Sequence, residues 1–454
     1  FSSTRRNYIQ NHRTDGLIEF IAELLSHSFV LDAMPATAGD TWTHVEELVD
    51  EHRQLAGSAG SFESRLKQAV PSVSNFITPL PLCDAWKMYD DKYKVSQRRF
   101  VQPGFDEIRH VLNLAQVMAL RHTRLRLITF DGDCTLYSDG RDFSDPKLAR
   151  YISLLLRQGV AVALVTAAGY AYDAPRYMGR LRGLLAYFRE HALGAEAAAR
   201  FWVLGGESNY LLGCAAVPAA GGEGFEYVLK PTPELWAPLW APDEGAVGTL
   251  LDCAQAVIES ASTELQLRAR IIRKPRSVGL VPGGKEGKAR CPKGSGMTTM
   301  RSEALDEIVL RLQHELRGLT QRAAHASSPW DVPPYCAFNG GNDVWVDIGS
   351  KREGVAGLCA LLQLPPESVL HVGDQFLNTG NDYAARDVCP CVWIVSPTET
   401  RQVTPCRQPS PAISHQPSAI SLQPLVISHH SAVAVVDRVD QLASSTPRGQ
   451  GAPR

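Results

Sequence analysis

Three short apolar runs, each followed by a polar residue, constrain the fold of this chain more than any other feature. The runs cover residues 125–130, 160–165 and 368–372, and the polar residues are Asp131, Thr166 and Asp374, the last after one glycine. Continuous apolar runs of this length are typical of buried parallel strands. A helical pattern over 147–157 separates the first two runs. This strand–helix–strand order predicts a doubly wound α/β sheet.

The pattern along the chain predicts a core that is interrupted by an insertion. We expect a helical region over 1–118, a Rossmann-like α/β core over 119–175 and 340–398, and an inserted α+β cap domain over 176–339. From about residue 399 the chain is rich in Pro, Ser, Gln and His and lacks periodicity. We expect 399–454 either to be disordered or to be retained intron sequence.

Composition narrows the choice of partners. Lys and Arg number 46 against 48 Asp and Glu, a formal net charge of −2, so no global field attracts nucleic acid or an anionic membrane. No apolar run reaches the ~18–20 residues of a membrane helix. The ten cysteines are scattered without a CxxC pair, which favours a reduced, cytoplasmic setting.

Two carboxylates follow the first predicted strand, in the segment Asp131-Gly132-Asp133. Ligands bind beyond the carboxyl ends of strands in open α/β sheets, so both side chains should face one crevice. Two adjacent anions there need a cation, and Mg²⁺ is the expected ion. Asp131 could then attack phosphorus, and Asp133 could protonate the leaving oxygen and later activate water. A purely structural alternative is that either aspartate caps the following turn.

Three more strand ends favour the catalytic interpretation. Thr166 offers a hydroxyl for a phosphoryl oxygen, Lys351 offers a fixed positive charge, and Asp374 offers a third metal carboxylate. Each of the first two residues taken alone would more often be structural. The order Asp/Asp, Thr, Lys, Asp resembles the four motifs of haloacid dehalogenase-like phosphohydrolases.

A closer resemblance rests on longer strings. FDGDCTLYSDG (130–140), VTAAGY (165–170), GGESNYL (205–211), FNGGNDVWVDIGSK (338–351) and HVGDQFLNTGNDYAAR (371–386) resemble the IMP-specific 5′-nucleotidase family, and so does the N-terminal run at 96–120. The resemblance covers roughly residues 5–397. It implies Mg²⁺-dependent hydrolysis of inosine 5′-monophosphate (IMP) to inosine and phosphate.

The resemblance also implies roles for individual residues. Asp131 would be the nucleophile and a metal ligand, Asp133 the general acid/base and a ligand through its backbone carbonyl, and Asp374 the remaining ligand. Further positions that match nucleotide contacts are Asp139, Thr166, Lys351, Asp343 and Trp345. For the base, Arg273, Arg276 and Asn209 are candidate donors to the 6-carbonyl group.

The family resemblance further implies activation by ATP through the N-terminal region, and a tetramer. Arg109 and His110 lie in a basic cluster there, which we interpret as a possible effector site, with a solvated helix face as the alternative. Two other functions stay open: a sugar phosphomutase or sugar-phosphate phosphatase on the same fold, and a non-catalytic nucleotide sensor.

Overall fold

The N-terminal region is helical, as predicted. The computed structural model describes residues 15–29, 34–56, 63–120, 123–219, 224–283, 300–326, 330–397 and 399. The first five helices are α1 (Gly16–Phe29), α2 (Met34–Ala56), α3 (Arg65–Ala69), α4 (Leu82–Tyr93) and α5 (Phe105–Ala119). Trp42 of α2 stacks on Trp86 of α4 with ring centroids 5.7 Å apart, in the middle of this helical layer.

The first part of the α/β core follows. Its elements are β1 (Leu127–Phe130), α6 (Pro146–Arg157), β2 (Ala161–Thr166), α7 (Ala174–Arg180), α8 (Arg182–Glu190), α9 (Ala195–Ala198), β3 (Phe201–Gly205), β4 (Tyr210–Pro218), β5 (Phe225–Pro231) and α10 (Pro233–Trp236). Asp145 caps α6 by accepting from the backbone N–H groups of Lys147 and Leu148, and Pro146 occupies the first turn, where a missing N–H costs nothing.

The inserted domain is a small antiparallel sheet covered by two long helices. Its elements are α11 (Glu244–Glu264), β6 (Ala269–Lys274), β7 (Ser277–Pro282), α12 (Ser302–Ala324), β8 (Tyr335–Asn339) and β9 (Val344–Ile348), with strand order β6-β7-β9-β8. Along β9 the residues Val344, Val346 and Ile348 pack against the helices. Because side chains alternate along a strand, Trp345 and Asp347 lie on the opposite face.

The chain then returns to the core through α13 (Lys351–Leu362), β10 (Val369–Gly373) and β11 (Cys391–Trp393). The main sheet has the order β11-β10-β1-β2-β3-β4-β5. Its first five strands are parallel, and β4 and β5 are antiparallel to their neighbours. The carboxyl ends of β1, β2 and β10 therefore meet at one edge of the sheet.

The strands divide between the two sheets differently from the predicted boundaries at 176 and 339. β3, β4 and β5 extend the main sheet although they lie within the predicted insertion, and β9 belongs to the small sheet although it lies in the predicted core. The predicted insertion began too early because glycine- and proline-rich breaks near 221 and 231 look irregular in sequence, whereas the structure uses the strands around them as an antiparallel hairpin.

Alternate residues of the central strands belong to two different hydrophobic cores. Leu127 contributes to a core shared with the N-terminal helices, whereas Ile128 and Phe130 contribute to one under α6 and α8. The sheet is therefore covered on both faces, which confirms the predicted α/β class with a cap and an N-terminal helical region. In the described part of the chain, no helix is both long and apolar enough to cross a membrane.

The predicted tail lies almost entirely outside the described residues. Glu399 is the exception at its beginning. Its carboxylate accepts hydrogen bonds from Arg109 at 2.8 Å and from the backbone N–H of Val395 at 2.9 Å.

Candidate active site

Lys351 and Asp131 form the centre of the site. The Nζ atom of Lys351 lies 2.6 Å from Asp131 Oδ1 and 2.5 Å from Asp382 Oδ1, and all three side chains are buried. Lys351 is the first residue of α13, so the structure brings it to the core from the end of the cap strand β9. The predicted positive charge of Lys351 is present at the site. The strand that precedes it, β9, belongs to the smaller sheet and not to the main sheet.

Asp382 holds this centre together. Its Oδ1 atom also lies 2.9 Å from Nε2 of His371, and its Oδ2 accepts from the backbone N–H of Gln375 at 2.8 Å. Nδ1 of His371 lies 2.8 Å from the Thr129 hydroxyl. Burial alone would raise the pKa of Asp382, but Lys351 and His371 outweigh it and hold that pKa well below its usual range. Asp382 is therefore a carboxylate whose charge is balanced inside the protein.

For Asp131 and Asp374, burial outweighs the nearby positive charge of Lys351. Burial raises the pKa of Asp131 to about 7 even though Lys351 opposes the shift, and burial together with Asp131 raises the pKa of Asp374 well above its usual range. Asp131, Asp374 and Asp382 each offer one oxygen, and these atoms lie within 4.8 Å of one another. Asp374 Oδ1 is buried without a hydrogen-bond partner among the described residues. The cluster could hold a metal ion, since hard divalent cations prefer carboxylate oxygens.

Asp133 stands at the rim of the site. Its Oδ1 accepts hydrogen bonds from the backbone N–H of Gly140 at 3.1 Å and from Arg180 at 2.5 Å. The side chain is about one-third exposed, in contrast to that of Asp131. The two aspartates thus differ in environment: Asp131 is buried against Lys351, and Asp133 is partly exposed and paired with Arg180.

Thr166 lies where the sequence predicts it, at the end of β2. Its Oγ1 atom accepts from the backbone N–H of Ala168 at 3.1 Å, which leaves the hydroxyl proton to be donated. A Cβ atom on Gly132 would lie 3.2 Å from this Oγ1 and only 2.5 Å from the Tyr137 hydroxyl. Glycine at 132 therefore lets the loop after β1 approach Thr166 and Tyr137.

Two of the residues that are predicted to contact the nucleotide, Asp343 and Trp345, lie in the cap. Asp343 is half-buried, and burial raises its pKa. The negative charge of Asp139, which belongs to the core, raises that pKa further. Trp345 lies over Gly279, and the Nζ atom of Lys274 is 4.3 Å from its ring centroid. Asp139 and Asp343 therefore come from different domains to one region.

Sequence reasoning missed Glu207, which lies fully buried beside Lys351. Its backbone N–H donates to the carbonyl of Thr166 at 3.2 Å, and its Oε1 accepts from Asn381 at 2.7 Å. Burial raises the pKa of Glu207 to about 8, although the Lys351 charge opposes the shift. It lies in the left-handed turn of Gly206, Glu207 and Ser208, with φ of 62°, 49° and 78°. The string GGESNYL contains Glu207. The expectation that functional residues follow the ends of apolar runs does not single this residue out.

The candidate base donors have structural partners in the described structure. Asn209 donates from Nδ2 to the carbonyl oxygens of Gly206 and Ile348 at 2.5 and 2.6 Å, so its amide hydrogens join core and cap. Arg273 bonds to Asp252 at 2.8 Å and Arg276 bonds to Glu244, both on α11. These contacts do not support the prediction that the three residues read the base.

Arg109 and His110 are buried rather than displayed on a solvated face. The guanidinium of Arg109 donates to the Trp393 carbonyl at 2.6 Å and pairs with Glu399, while His110 lies beside Tyr89. Arg109 thus fastens α5 to the end of β11. Burial contradicts the alternative of a solvated helix face, and the effector site at Arg109 and His110 stays a prediction.

A doubly wound sheet with a buried lysine, paired strand-end aspartates and an inserted cap defines a haloacid dehalogenase-like hydrolase. The model of the family described as IMP-specific 5′-nucleotidase matches residues 3–404. The chain belongs to the IMP-specific 5′-nucleotidase family.

Relatives and solved structures agree with this family. The chain is 36% identical to the IMP-specific 5′-nucleotidase 1 of Plasmodium falciparum over 401 residues, which covers 88% of this chain and 84% of that protein. It is 37% identical to the protein of the same name from Schizosaccharomyces pombe over 413 residues, 86% of this chain and 94% of the relative. An IMP-bound mutant of the Plasmodium falciparum IMP-nucleotidase superposes with a TM-score of 0.72 at 35% identity, over 87% and 96% of the two chains. The ATP-bound form gives a TM-score of 0.68 at 35% identity, over 88% and 85%.

Proposed function

We propose that this enzyme hydrolyses IMP to inosine and phosphate with Mg²⁺, through an aspartyl-phosphate at Asp131. The observation that carries the proposal is the contact of buried Lys351 with Asp131 at 2.6 Å, beside the Asp374 carboxylate. A buried carboxylate with a positive charge at one oxygen is oriented for attack through the other. The IMP-bound relative supports the choice of substrate.

The metal assignment rests on the donor set. Asp131 and Asp374 would hold Mg²⁺ through their side chains and Asp133 through its backbone carbonyl; the unpartnered Oδ1 of Asp374 and the raised pKa of both carboxyls fit a site that needs a cation. When bound, the ion would neutralise phosphate charge and so let a carboxylate approach. Asp382 is better suited to hold Lys351 in place, because its Oδ1 already accepts from Lys351 and His371.

The remaining steps belong to residues of the chain. Lys351 favours the ionised form of Asp131 and faces the phosphoryl oxygens, and the Thr166 hydroxyl donates to one of them. Asp133 gives its proton to the 5′-oxygen as that oxygen leaves, then takes a proton from the water that attacks the aspartyl-phosphate. The cap closes over the active site during the first half-reaction and excludes water. Asp139, Asp343 and Trp345 contact the nucleoside.

Three further properties are part of the proposal. ATP would activate the enzyme, as the ATP-bound relative suggests, and the enzyme would assemble as a tetramer. Because both side chains are buried, Arg109 would act in activation by holding α5 on β11, with His110 beside its guanidinium at 3.3 Å, rather than by contacting the effector. We place the enzyme in the cytoplasm; the cysteines in the described part of the chain are free thiols, which suits a reducing compartment.

A substrate panel tests the proposal. Phosphate release is measured from IMP, AMP, GMP and glucose 6-phosphate, with and without Mg²⁺ and with and without ATP. We expect Mg²⁺-dependent release with the highest kcat/KM for IMP, a rise with ATP, and no release from Asp131→Asn. Faster release from the hexose phosphate would instead assign a sugar-phosphate phosphatase. No release from any of these substrates by the unmodified protein would overturn the proposal in favour of a nucleotide sensor.

A further inference from the structure

Arg180, the last residue of α7, makes a direct contact with the proposed general acid. Its guanidinium Nη2 atom lies 2.5 Å from Oδ1 of Asp133. The backbone N–H of Gly140 donates to the same oxygen at 3.1 Å. Both described hydrogen bonds of this carboxylate therefore fall on Oδ1, and Oδ2 is the oxygen on which a proton can be carried.

The arginine is itself held in place. Its guanidinium carbon lies 4.7 Å from the ring centroid of Tyr137, a buried residue in the loop that follows Asp133. The side chain of Arg180 is only 15% exposed, and its backbone carbonyl accepts from the N–H of Phe143 at 2.7 Å. Stacking on a ring and a fork-shaped donor fix the guanidinium plane better than a flexible ammonium could.

The charge of Arg180 matches the charge that develops during proton transfer. When the bond between phosphorus and the 5′-oxygen breaks, the proton moves from Asp133 to that oxygen, and the carboxyl group becomes a carboxylate. Phosphorus is then bonded to Asp131. A cation beside Asp133 stabilises the carboxylate as it forms, and so it favours protonation of a basic leaving group.

We propose that Arg180 is a positioning residue for Asp133. Arg180 occupies Oδ1 and so leaves Oδ2 as the oxygen that carries the proton, and it stabilises the carboxylate that remains after the 5′-oxygen is protonated. The inference rests on the proposed phosphatase function. It concerns a residue outside the strand-end positions, supplied by the helix after β2.

The sharpest test varies the leaving atom and keeps the nucleoside. IMP is compared with its analogue in which sulfur replaces the bridging 5′-oxygen. A thiol has a pKa of about 8.5, so a thiolate leaves without help from an acid, whereas an alkoxide needs a proton. We expect Arg180→Ala to lower kcat for IMP by roughly 10- to 100-fold and kcat for the thio analogue by less than about 3-fold. Arg180→Lys should recover part of the loss, because it keeps the charge without the fork.

Three controls distinguish a positioning role from damage to the fold. Arg182→Ala removes an exposed arginine at the start of the next helix, which pairs with Asp142 at 3.2 Å, and should change neither kcat. Mg²⁺ affinity by calorimetry and the melting temperature of Arg180→Ala should match the unmodified protein, since Arg180 contacts the Asp133 side chain and not its carbonyl. In an Asp133→Asn background, Arg180→Ala should cause no further loss with IMP.

The outcomes distinguish the two proposals. An equal loss on both substrates, or a further loss in the Asp133→Asn background, would overturn the role of Arg180 and leave the phosphatase function standing. If the unmodified enzyme cleaves neither substrate, the proposed function fails and the inference fails with it.

Discussion

The indole N–H of Trp393 donates a hydrogen bond to the backbone carbonyl of Asp374 at 3.0 Å. The backbone carbonyl of the same tryptophan accepts from Arg109 at 2.6 Å and from Asn113 at 2.7 Å, both on α5. One residue therefore connects the N-terminal helices to the backbone of Asp374, whose side chain belongs to the candidate metal cluster. A shift of α5 can reach Asp374 through two hydrogen bonds, which gives the N-terminal region a physical route to the site.

Trp393→Phe should weaken Mg²⁺ binding several-fold. The substitution keeps most of the apolar packing but removes the indole donor, so the loop of Asp374 loses one hydrogen bond of about 1 kcal/mol. The measurement is a Mg²⁺ titration followed by calorimetry. Trp202→Phe is the matched control, because the indole nitrogen of Trp202 has no partner among the described residues. Equal effects of the two substitutions would contradict the prediction.

Lys351→Met should destabilise the protein at pH 7 by about 3–5 kcal/mol, because it leaves two buried carboxylates without their cation. Urea unfolding of the metal-free protein measures the change. The sign of the pH dependence follows from Asp382, whose folded pKa is depressed by Lys351. In the unmodified protein this contribution is present above the unfolded pKa of Asp and is lost as the pH falls through the folded pKa.

The control for Lys351→Met is Lys147→Met, near the start of α6, where a methionine leaves no buried acid unpaired. We expect that variant to unfold within about 0.5 kcal/mol of the unmodified protein. A comparable loss in both variants would show that the ion pairs of Lys351 contribute nothing specific to stability.

Glu207→Gln should flatten the pH dependence of stability. Burial raises the folded pKa of Glu207 to about 8, so between the unfolded pKa near 4.3 and pH 8 the folded protein holds a proton that the unfolded chain releases. Unfolding free energy therefore falls as the pH rises through this window, and glutamine removes that loss, on the order of a few kcal/mol at pH 9. Urea unfolding at pH 5 and pH 9 without metal gives the slope.

Glu196→Gln serves as the comparison, since this glutamate is exposed and pairs with Arg200 on the surface. It should leave the slope unchanged. Parallel slopes for unmodified protein and Glu207→Gln would show that Glu207 is ionised in the folded state throughout this range.

Asn209→Ala should loosen the cap without changing the choice of base. The variant leaves the carbonyl oxygens of Gly206 and Ile348 without their donor, at a cost of about 1–3 kcal/mol. We expect faster proteolysis between core and cap and an unchanged ratio of kcat/KM for IMP over AMP. A fall in that ratio would restore Asn209 as a reader of the hypoxanthine carbonyl.

The sequence was informative where a local rule places side chains together. Parallel strands end at a common edge, and this rule alone brings Asp131, Thr166 and Asp374 to one site. Asp382 was visible in the same motif, but only the fold shows that it holds Lys351. The sequence identifies Lys351 as a candidate because it is a positively charged residue after a predicted strand. It does not show that this strand belongs to the cap sheet.

Other parts of the site depend on contacts between distant segments. Glu207 bonds to Asn381, which lies 174 residues further along the chain, and Arg180 reaches Asp133 from 47 residues away. No periodicity encodes such pairs. The cap boundaries failed for a related reason: β4 and β5 have the alternation of an antiparallel hairpin, which does not reveal the sheet it joins.

The raised pKa values of Asp131 and Asp374 have a consequence for the way in which this cluster would take up a metal ion. Carboxyl groups that retain protons near neutral pH must release them before they can bind a divalent cation. Loading of the site would therefore release protons, and its measured heat would vary with the ionisation enthalpy of the buffer. Metal binding at this cluster would then weaken as the pH falls and strengthen as the pH rises.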